Sequence, residues 1–565
     1  MLSKKLCGYN VVHLIYPLRM NTRYSSLKRY NNPFENNDKW EKLYTLQDKN
    51  QMRADNNGSK ENNADKQKDK DNEEKQYYFS SLYNYEEVNI IPTEQIASYF
   101  HPTVHDILLH NIHPDMKAHK KLLAYRRKKC DFYGTYHAYF EVNDEEKKVD
   151  KADLTLTFEW LAAEVYRFNK IHFLVIRLAM HEKQKGKIET VDKWIKFVSR
   201  VRLNHKKYCG QAQMYVGKSK QDLKHVFFYW VQKFVDQEIG REFVITNRSI
   251  EPGSKQKFED FKLRETVAFV HGYICAQQNK KYWNRKELYQ LISVDENPGD
   301  SGGTTDFIKT FLKHHSYDRW ANYGTHYMCI DYAAITAMTM KERCAYRKDF
   351  DKNNNKKKYN IQPLYTFYQH HCKIYLLMIL LQLYYREMLQ ELKGSYSRIG
   401  PIGKSDYQVK RTLSDFYDLN QYFIFDRLTN EIQGVEMWEH YERCFGITPL
   451  YKSVQQDMRE LNQRLIEYQN ERQSRSIFFL TLFAGFTGIM GMGRVISEEV
   501  QEGPAAWLSS DLYVAFLRYF AIVLAALLFV YTIFNIYKMG LRWRIIGFIV
   551  GLLFILMFFA VKQIL

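Results

Sequence analysis

The stretch RSIFFLTLFAGFTGIMGMGRVISEEVQEGPAAW, residues 475–507, decides how this chain is organised. It contains an apolar segment over 477–497, and two further apolar segments follow at 512–537 and 543–561. A helix rises about 1.5 Å per residue, so each segment is long enough, or nearly so, to cross a hydrocarbon core of about 30 Å. The sequence therefore predicts a C-terminal α-helical membrane domain over residues 476–565, with two or three transmembrane helices.

A heptad pattern comes directly before the first apolar segment. Its apolar residues alternate at spacings of three and four, which is the period of a coiled coil. No proline or glycine interrupts the chain between this pattern and Gly485. We therefore expect a coiled-coil-like stalk over 449–475 that continues as one helix into the first predicted span. The seam consists of Tyr451, Val454, Met458, Leu461, Leu465 and Tyr468.

The residues before the stalk are polar enough to form a water-soluble body. The mean hydropathy of the chain is −0.49 despite its apolar end. Aromatic and β-branched alternation at 132–142 and 172–178 indicates strands, and a helical pattern occupies 222–237. These patterns predict a cytosolic α/β domain over 77–345, followed by a cytosolic helical region over 360–448.

Two segments of this body need separate interpretation. Residues 1–76 are basic and of low complexity, so we expect a disordered N-terminal region. The run IYLLMILLQLYY at 374–385 is strongly apolar but too short to span a membrane, which favours a buried helix. The predicted fold class is thus an α/β cytosolic domain, then long helices, then the membrane domain.

Composition excludes several classes of function. The net charge is +18, but the basic residues are spread along the chain without a nucleic-acid-binding motif, so we expect no direct nucleic-acid binding. Eight scattered cysteines indicate reduced thiols rather than a disulfide framework or a zinc site. The string Gly-Asp-Ser-Gly-Gly at 299–303 lacks the histidine motif of a serine protease and is typical of a turn. We therefore predict that the protein is not an enzyme and has no cofactor, with a divalent cation or a nucleotide ligand as the alternatives.

A histidine-rich stretch is the weak candidate for a metal site. His101 and His105 are four residues apart, so a helix places both on one face, as in many zinc sites. Pro102 and Pro114 disturb the helix, and no third ligand stands at a suitable spacing. An ordinary histidine-bearing surface is the favoured interpretation, and metal binding stays open.

Small residues form a stripe along the first apolar segment. They recur at steps of three, four or seven, so one helix face carries them. Such a stripe lets helices pack closely, or it lines a pore whose backbone approaches an ion, and the pattern alone favours neither. The residues are Ser474, Thr481, Ala484, Gly488 and Gly491.

Charges around the apolar segments predict an orientation. An acidic loop follows the first segment, whereas the 538–544 loop is basic. The positive-inside rule then places the N-terminal body in the cytoplasm of a multi-pass protein in the cell (inner) membrane. No acidic residue precedes Glu35, which is typical of a mitochondrial presequence. The mitochondrial inner membrane is therefore the alternative location. The acidic loop contains Glu498, Glu499, Glu502 and Asp511.

Together these features resemble the CorA family of divalent-cation channels. The run LTLFAGFTGIMGM at 480–492 is similar to the family's helix before its Gly-Met-Asn signature, and YRFNKIHFLVIRL at 166–178 is similar to a strand pair of its cytosolic domain. The resemblance implies a homo-oligomer, usually a pentamer, in which the first span lines a pore for cations. The partners it implies are the lipid bilayer, further copies of the chain and a divalent cation.

The signature itself departs from the family pattern. Gly491-Met492-Gly493 stands in place of Gly-Met-Asn, so the side-chain oxygen that contacts the hydrated ion is missing. Arg494 follows at the predicted pore mouth and repels cations. We therefore expect a poorly selective pore gated by the cytosolic domain. A membrane effector of a type III CRISPR anti-viral system, activated by a nucleotide second messenger, is the alternative, and a membrane-anchored scaffold without transport is the alternative from another class.

Overall fold

A computed structural model describes the chain in several stretches. It covers residues 10–20, 38–42, 99–101, 104, 122–140 except 129, 156–202 and 214–245 with short gaps, 268–278, 283–294, 303–341, 349–350, 357–358, and 367–501 except 401 and 426. Beyond residue 485, and at some element ends, only the backbone is described. The chain divides into two units, Met1–Asn462 and Gln463–Leu565.

One mixed sheet organises the first unit. Among the described residues it contains thirteen strands, and its main path runs β10-β9-β4-β5-β6-β1-β12-β15-β14-β13. β12 and β15 are parallel, whereas the other neighbours along this path are antiparallel. The strands are β1 Val11–Met20, β2 Trp40–Lys42, β3 Leu122–Arg127, β4 Gly134–Phe140, β5 Leu156–Phe168, β6 Ile171–Met180, β7 Lys183–Gln184, β8 Lys187–Ile188, β9 Met214–Gly217, β10 His225–Val226, β11 Phe243–Ile245, β12 Phe269–Gln278, β13 Ser316–Tyr317, β14 Thr325–Ile330, β15 Ala333–Lys341, β16 Asp349–Phe350 and β17 Lys357–Lys358.

Both faces of the central strands are covered. Every residue of β6 is buried, which is typical of a strand between two packed layers. One face carries the larger core, in which Trp160 and Trp194 are among the largest buried side chains. The other face carries a smaller core around Val11 and Tyr273, and Tyr368 packs there from a helical turn at residues 367–369.

The helices follow the sheet strands or lie between them. They are α1 Val191–Arg202, α2 Phe227–Phe234 with a π-helical turn Val235–Ile239, α3 Arg285–Ser293, α4 Thr305–His315, a 3-10 turn Ala321–Tyr323, a π-helical segment His370–Tyr375, α5 Leu376–Arg398, α6 Ile402–Tyr422, α7 Ile432–Phe445 and α8 Ile447–Gln501. The apolar run 374–385 lies at the junction of the π-helical segment and α5 and is buried throughout, as its length predicted.

Helix α8 contains 55 residues without a break. The continuous helix predicted from the heptad seam is therefore confirmed over its backbone. Val454, Met458 and Leu461 of the seam are buried, whereas Tyr451 and Tyr468 are half-buried. The period of three and four thus marks the covered face of this helix.

The predicted membrane domain is corrected by the structure. Within the part of the chain that is described, no helix is both long enough and apolar enough to cross a membrane. The fold class is therefore an α/β sheet domain with helices, and the C-terminal membrane domain of the sequence prediction is wrong for this region. The second and third predicted spans, 512–537 and 543–561, lie outside the described residues.

The N-terminal prediction also needs correction. Residues 11–20 fall in the region expected to be disordered, yet they form β1 between β6 and β12. The physical reason is pairing, because the apolar run VVHLIYPL buries its side chains only when β6 and β12 flank it. Composition averaged over residues 1–76 conceals this short apolar run.

Candidate functional site

The predicted ion-path residues lie on one helix as far as the structure describes them. Ser474, Thr481 and Ala484 are exposed on α8. The Thr481 hydroxyl donates to the carbonyl oxygen of Ile477, 2.9 Å away, which is a bond along the helix rather than towards a ligand. The remaining members lie in the part of α8 described only by its backbone, and they are Gly488, Gly491, Met492, Gly493 and Arg494.

The predicted acidic loop begins later than expected. Glu498 and Glu499 lie within α8, which ends at Gln501, so these two residues are helical rather than part of a loop. Glu502 and Asp511 lie outside the described residues. Helix α8 therefore continues through the first acidic residues, because acidic residues do not by themselves end a helix.

The predicted histidine pair is not assembled within the described residues. His101 is half-buried, and its backbone N–H donates to the carbonyl oxygen of Leu428 at 2.9 Å. His105 lies outside the described residues. The structure instead brings together three other histidines.

These three histidines, which we call the histidine cluster, are His13, His271 and His371. His13 of β1 stands directly opposite His271 of β12 in the antiparallel register. Side chains two residues apart along a strand share a face, so both histidines lie on the face of Val11 and Tyr273. The π-helical segment supplies His371 above them.

The cluster is tightly packed. The ring centroids of His271 and His371 are 3.7 Å apart and the rings are stacked. The ring of His13 lies 5.3 Å from that of His271 and 5.9 Å from that of His371. One ring nitrogen from each residue lies within 4.8 Å of those of the other two.

Burial keeps the cluster neutral. All three side chains are at most 1% exposed. Desolvation, followed by the positive charge of Arg177, lowers the pKa of His13 well below its ordinary value and that of His271 to about 3. Desolvation and the two neighbouring histidines likewise lower the pKa of His371. Neutral imidazoles retain a lone pair at neutral pH, which is the form that binds metals.

Two hydrogen bonds orient the outer rings of the cluster. The Arg177 Nε–H donates to Nε2 of His13 at 3.0 Å. Nδ1 of His371 is 2.8 Å from the Thr336 hydroxyl oxygen, on strand β15. Within the described part of the chain, three buried ring nitrogens have no hydrogen-bond partner, namely Nδ1 of His13, Nδ1 of His271 and Nε2 of His371.

A buried ion network borders the cluster. Glu164 of β5 accepts from Arg126 at 2.8 Å and from the Tyr166 hydroxyl at 2.8 Å. Its carboxylate also lies 3.6 Å from the Arg177 guanidinium. Glu164 therefore neutralises the arginine that contacts His13.

A second group of chemically active side chains surrounds Cys444 of α7. Its sulfur lies 3.8 Å from Nδ1 of His315 and 3.8 Å from Nε2 of His440. A hydrogen bond with the Cys329 thiol, together with these imidazoles, holds the pKa of Cys444 well below its ordinary value. Burial, by contrast, raises the pKa of Cys329.

Sequence spacing gave no signal for the histidine cluster. More than two hundred residues separate His13 from His271, and about one hundred separate His271 from His371. The adjacent residues His370 and His371 point about 100° apart on a helix. The available signal was a histidine at the centre of an apolar strand-like run, as in VVHLI and FVHGYI. A buried polar residue in such a run needs partners, which only the sheet register supplies.

Comparison with known proteins adds no relative. No protein-family model, curated protein or solved structure matches the chain. The resemblance to the CorA family therefore rests on the residues of the sequence alone.

Proposed function

We propose that the protein is an oligomeric ion-transport protein that works at a lipid bilayer, with its α/β domain controlling ion passage. The observation that carries the proposal is the course of helix α8. It runs without interruption from the buried seam, through an exposed apolar segment, to the residues that resemble the CorA signature. One helix therefore contains both the seam that follows the α/β domain and the residues of the proposed ion path.

The exposed apolar segment supports contact with a non-aqueous partner. Ile477, Leu480 and Phe483 are 57%, 74% and 69% exposed, and Phe478 and Phe479 are exposed as well. Successive residues of a helix point about 100° apart, so residues 477–480 present apolar side chains in every direction. A helix that is apolar all round is typical of a lipid or protein-core environment, because each such side chain gains about 1.5–3 kcal/mol on leaving water.

The ion path in this proposal follows the small-residue stripe. Ser474, Thr481 and Gly488 occur on the same helix, and a ring of identical helices around an axis brings their small side chains together. Gly493 and Arg494 supply no amide ligand and add positive charge, so we propose weak selectivity rather than selective magnesium uptake. The N-terminal domain is cytoplasmic in this arrangement, and the oligomer is a pentamer by resemblance.

Reconstitution of the full chain tests the proposal. Purified protein is incorporated into vesicles, and vesicle flotation is measured together with the release of potassium and magnesium. We expect flotation and flux of both ions. Leu480→Asp with Phe483→Asp is expected to abolish both, because the charges enter the apolar segment. Tyr407→Asp with Ile432→Asp is the matched control, since these residues are comparably exposed outside α8.

Each other outcome has a defined meaning. Flotation without flux refutes transport and favours the membrane-anchored scaffold. Flux that starts only after a nucleotide is added favours the nucleotide-activated effector. Equal flotation by both double variants refutes the role assigned to the apolar segment of α8.

A further inference from the structure

We propose that His13, His271 and His371 form a binding site for a transition-metal ion of the zinc class. The proposal is independent of the ion-transport function, because it concerns an ion held inside the sheet domain. Its first support is proximity, since one ring nitrogen from each residue lies within 4.8 Å of those of the other two. Its second support is the set of three buried ring nitrogens without a hydrogen-bond partner.

Buried ring nitrogens without a hydrogen-bond partner are costly unless a bound species contacts them. A buried polar atom left without a partner costs about 1–3 kcal/mol, so three of them are a large penalty for a sheet core. A metal ion would take one lone pair from each ring, provided that the proton of His13 lies on Nε2 rather than on Nδ1. Two nitrogens bonded to a tetrahedral zinc ion at about 2.0–2.1 Å are about 3.3 Å apart. The nitrogens must therefore approach one another, and the stacked rings of His271 and His371 must turn so that both lone pairs point at the ion.

The π-helical segment makes that approach feasible. His13 and His271 are fixed by pairing of their strands, whereas His371 lies in the π-helical segment His370–Tyr375. Such segments interrupt the regular helical hydrogen bonds and are frequent at functional sites. Thr336 orients the ring through Nδ1, which leaves Nε2 of His371 for the ion. This is the usual outer hydrogen bond of a metal-binding histidine.

Arg177 opposes metal binding, so replacing it provides a further test of the site. Its hydrogen bond to Nε2 of His13 places the proton of the neutral ring on Nδ1. For Nδ1 to bind the ion, that proton must move to Nε2, and the guanidinium must turn away towards Glu164, which is 3.6 Å distant. Arg177 therefore competes with the metal for His13 and adds a repelling charge.

The ligand set defines the class of ion. Three neutral imidazoles suit zinc, cobalt, nickel and copper, whereas magnesium and calcium prefer oxygen ligands. The ion would link strand β1, strand β12 and the segment before helix α5. One coordination position stays available for a small ligand such as water.

The experiment uses the full chain after treatment with a chelator. Zinc binding is measured by equilibrium dialysis with elemental analysis, and cobalt binding is measured by the visible absorption of the tetrahedral ion. We expect one site per chain. His371→Gln is expected to weaken binding at least about 100-fold through the loss of a ligand, and Thr336→Val about 10–100-fold through the loss of the outer hydrogen bond.

Three further variants keep the result interpretable. Arg177→Met is expected to tighten binding, which a general loss of structure would not produce. His172→Gln alters an equally buried histidine outside the cluster and is expected to bind like the parent. Cys444→Ser tests the other candidate ligand group, and it too is expected to bind like the parent. Circular dichroism establishes that each variant is folded. Thr336→Val keeps nearly the same side-chain shape as the parent residue.

Clear outcomes overturn the proposal. A parent chain that binds neither zinc nor cobalt at one ion per chain refutes it. Binding that survives in folded His371→Gln, or that is lost in Cys444→Ser, places the ion elsewhere and also refutes it.

Discussion

Replacing Glu164 by glutamine tests whether the ion network beside the histidine cluster stabilises the sheet. The Glu164 side chain is 3% exposed, and it contacts two arginines whose side chains are 14% and 8% exposed. Glutamine keeps the shape but removes the negative charge, which leaves Arg126 and Arg177 buried beside a neutral amide. Breaking a buried ion pair in this way costs about 3–5 kcal/mol. We expect the free energy of unfolding to fall by about that amount.

The assay is urea unfolding of the full chain, followed by tryptophan fluorescence. Asp406→Asn is the control, because Asp406 and Lys410 form an exposed ion pair along helix α6. Such a pair contributes only about 0.2–0.5 kcal/mol. Adding Arg177→Met to Glu164→Gln is expected to recover part of the loss, since it removes one of the uncompensated charges. A loss for Glu164→Gln that equals the control would refute the reasoning.

Two further predictions concern backbone conformation and thiol chemistry. Gly324 has φ +79°, and a Cβ added there would collide with the Thr339 hydroxyl. Gly324→Ala is therefore expected to lower the melting temperature more than Gly446→Ala, because Gly446 has φ +63° but a Cβ added there meets no atom within 4 Å. Equal melting temperatures of the two variants would contradict this prediction. At pH 6 iodoacetamide is expected to alkylate Cys444 faster than Cys130. The reason is that thiol and imidazole neighbours lower the pKa of Cys444, whereas burial raises the pKa of Cys130. Peptide mass spectrometry measures both rates, and faster alkylation of Cys130 would contradict the prediction.

Local patterns predicted the elements whose signal is periodic. The seam of Val454, Met458 and Leu461 identified the buried face of helix α8, because helical spacing places these residues on one side whatever their partner is. The apolar run 374–385 was correctly interpreted as buried, since its length is below that of a membrane span. Strand-like alternation likewise located β4 and β6 within a few residues.

Averaged composition misled where a short segment differs from its surroundings. Strand β1 was included in a disordered region because basic and polar residues dominate 1–76. The membrane domain predicted from apolar length is likewise corrected for the described helices, because segment length alone does not define a span. For β1 the sequence supplied the local apolar content, and pairing with β6 and β12 decided its role.

The sequence by itself determined the periodic elements, the long uninterrupted helix and the departure of Gly493 and Arg494 from the CorA signature. Only the tertiary structure decided the histidine cluster and its ion network. The pairing of β1 with β12 brings His13 opposite His271, and the helical layer adds His371. The physical reason is that helical and strand periods are properties of neighbouring residues, whereas register between distant strands depends on burying both faces of the whole sheet.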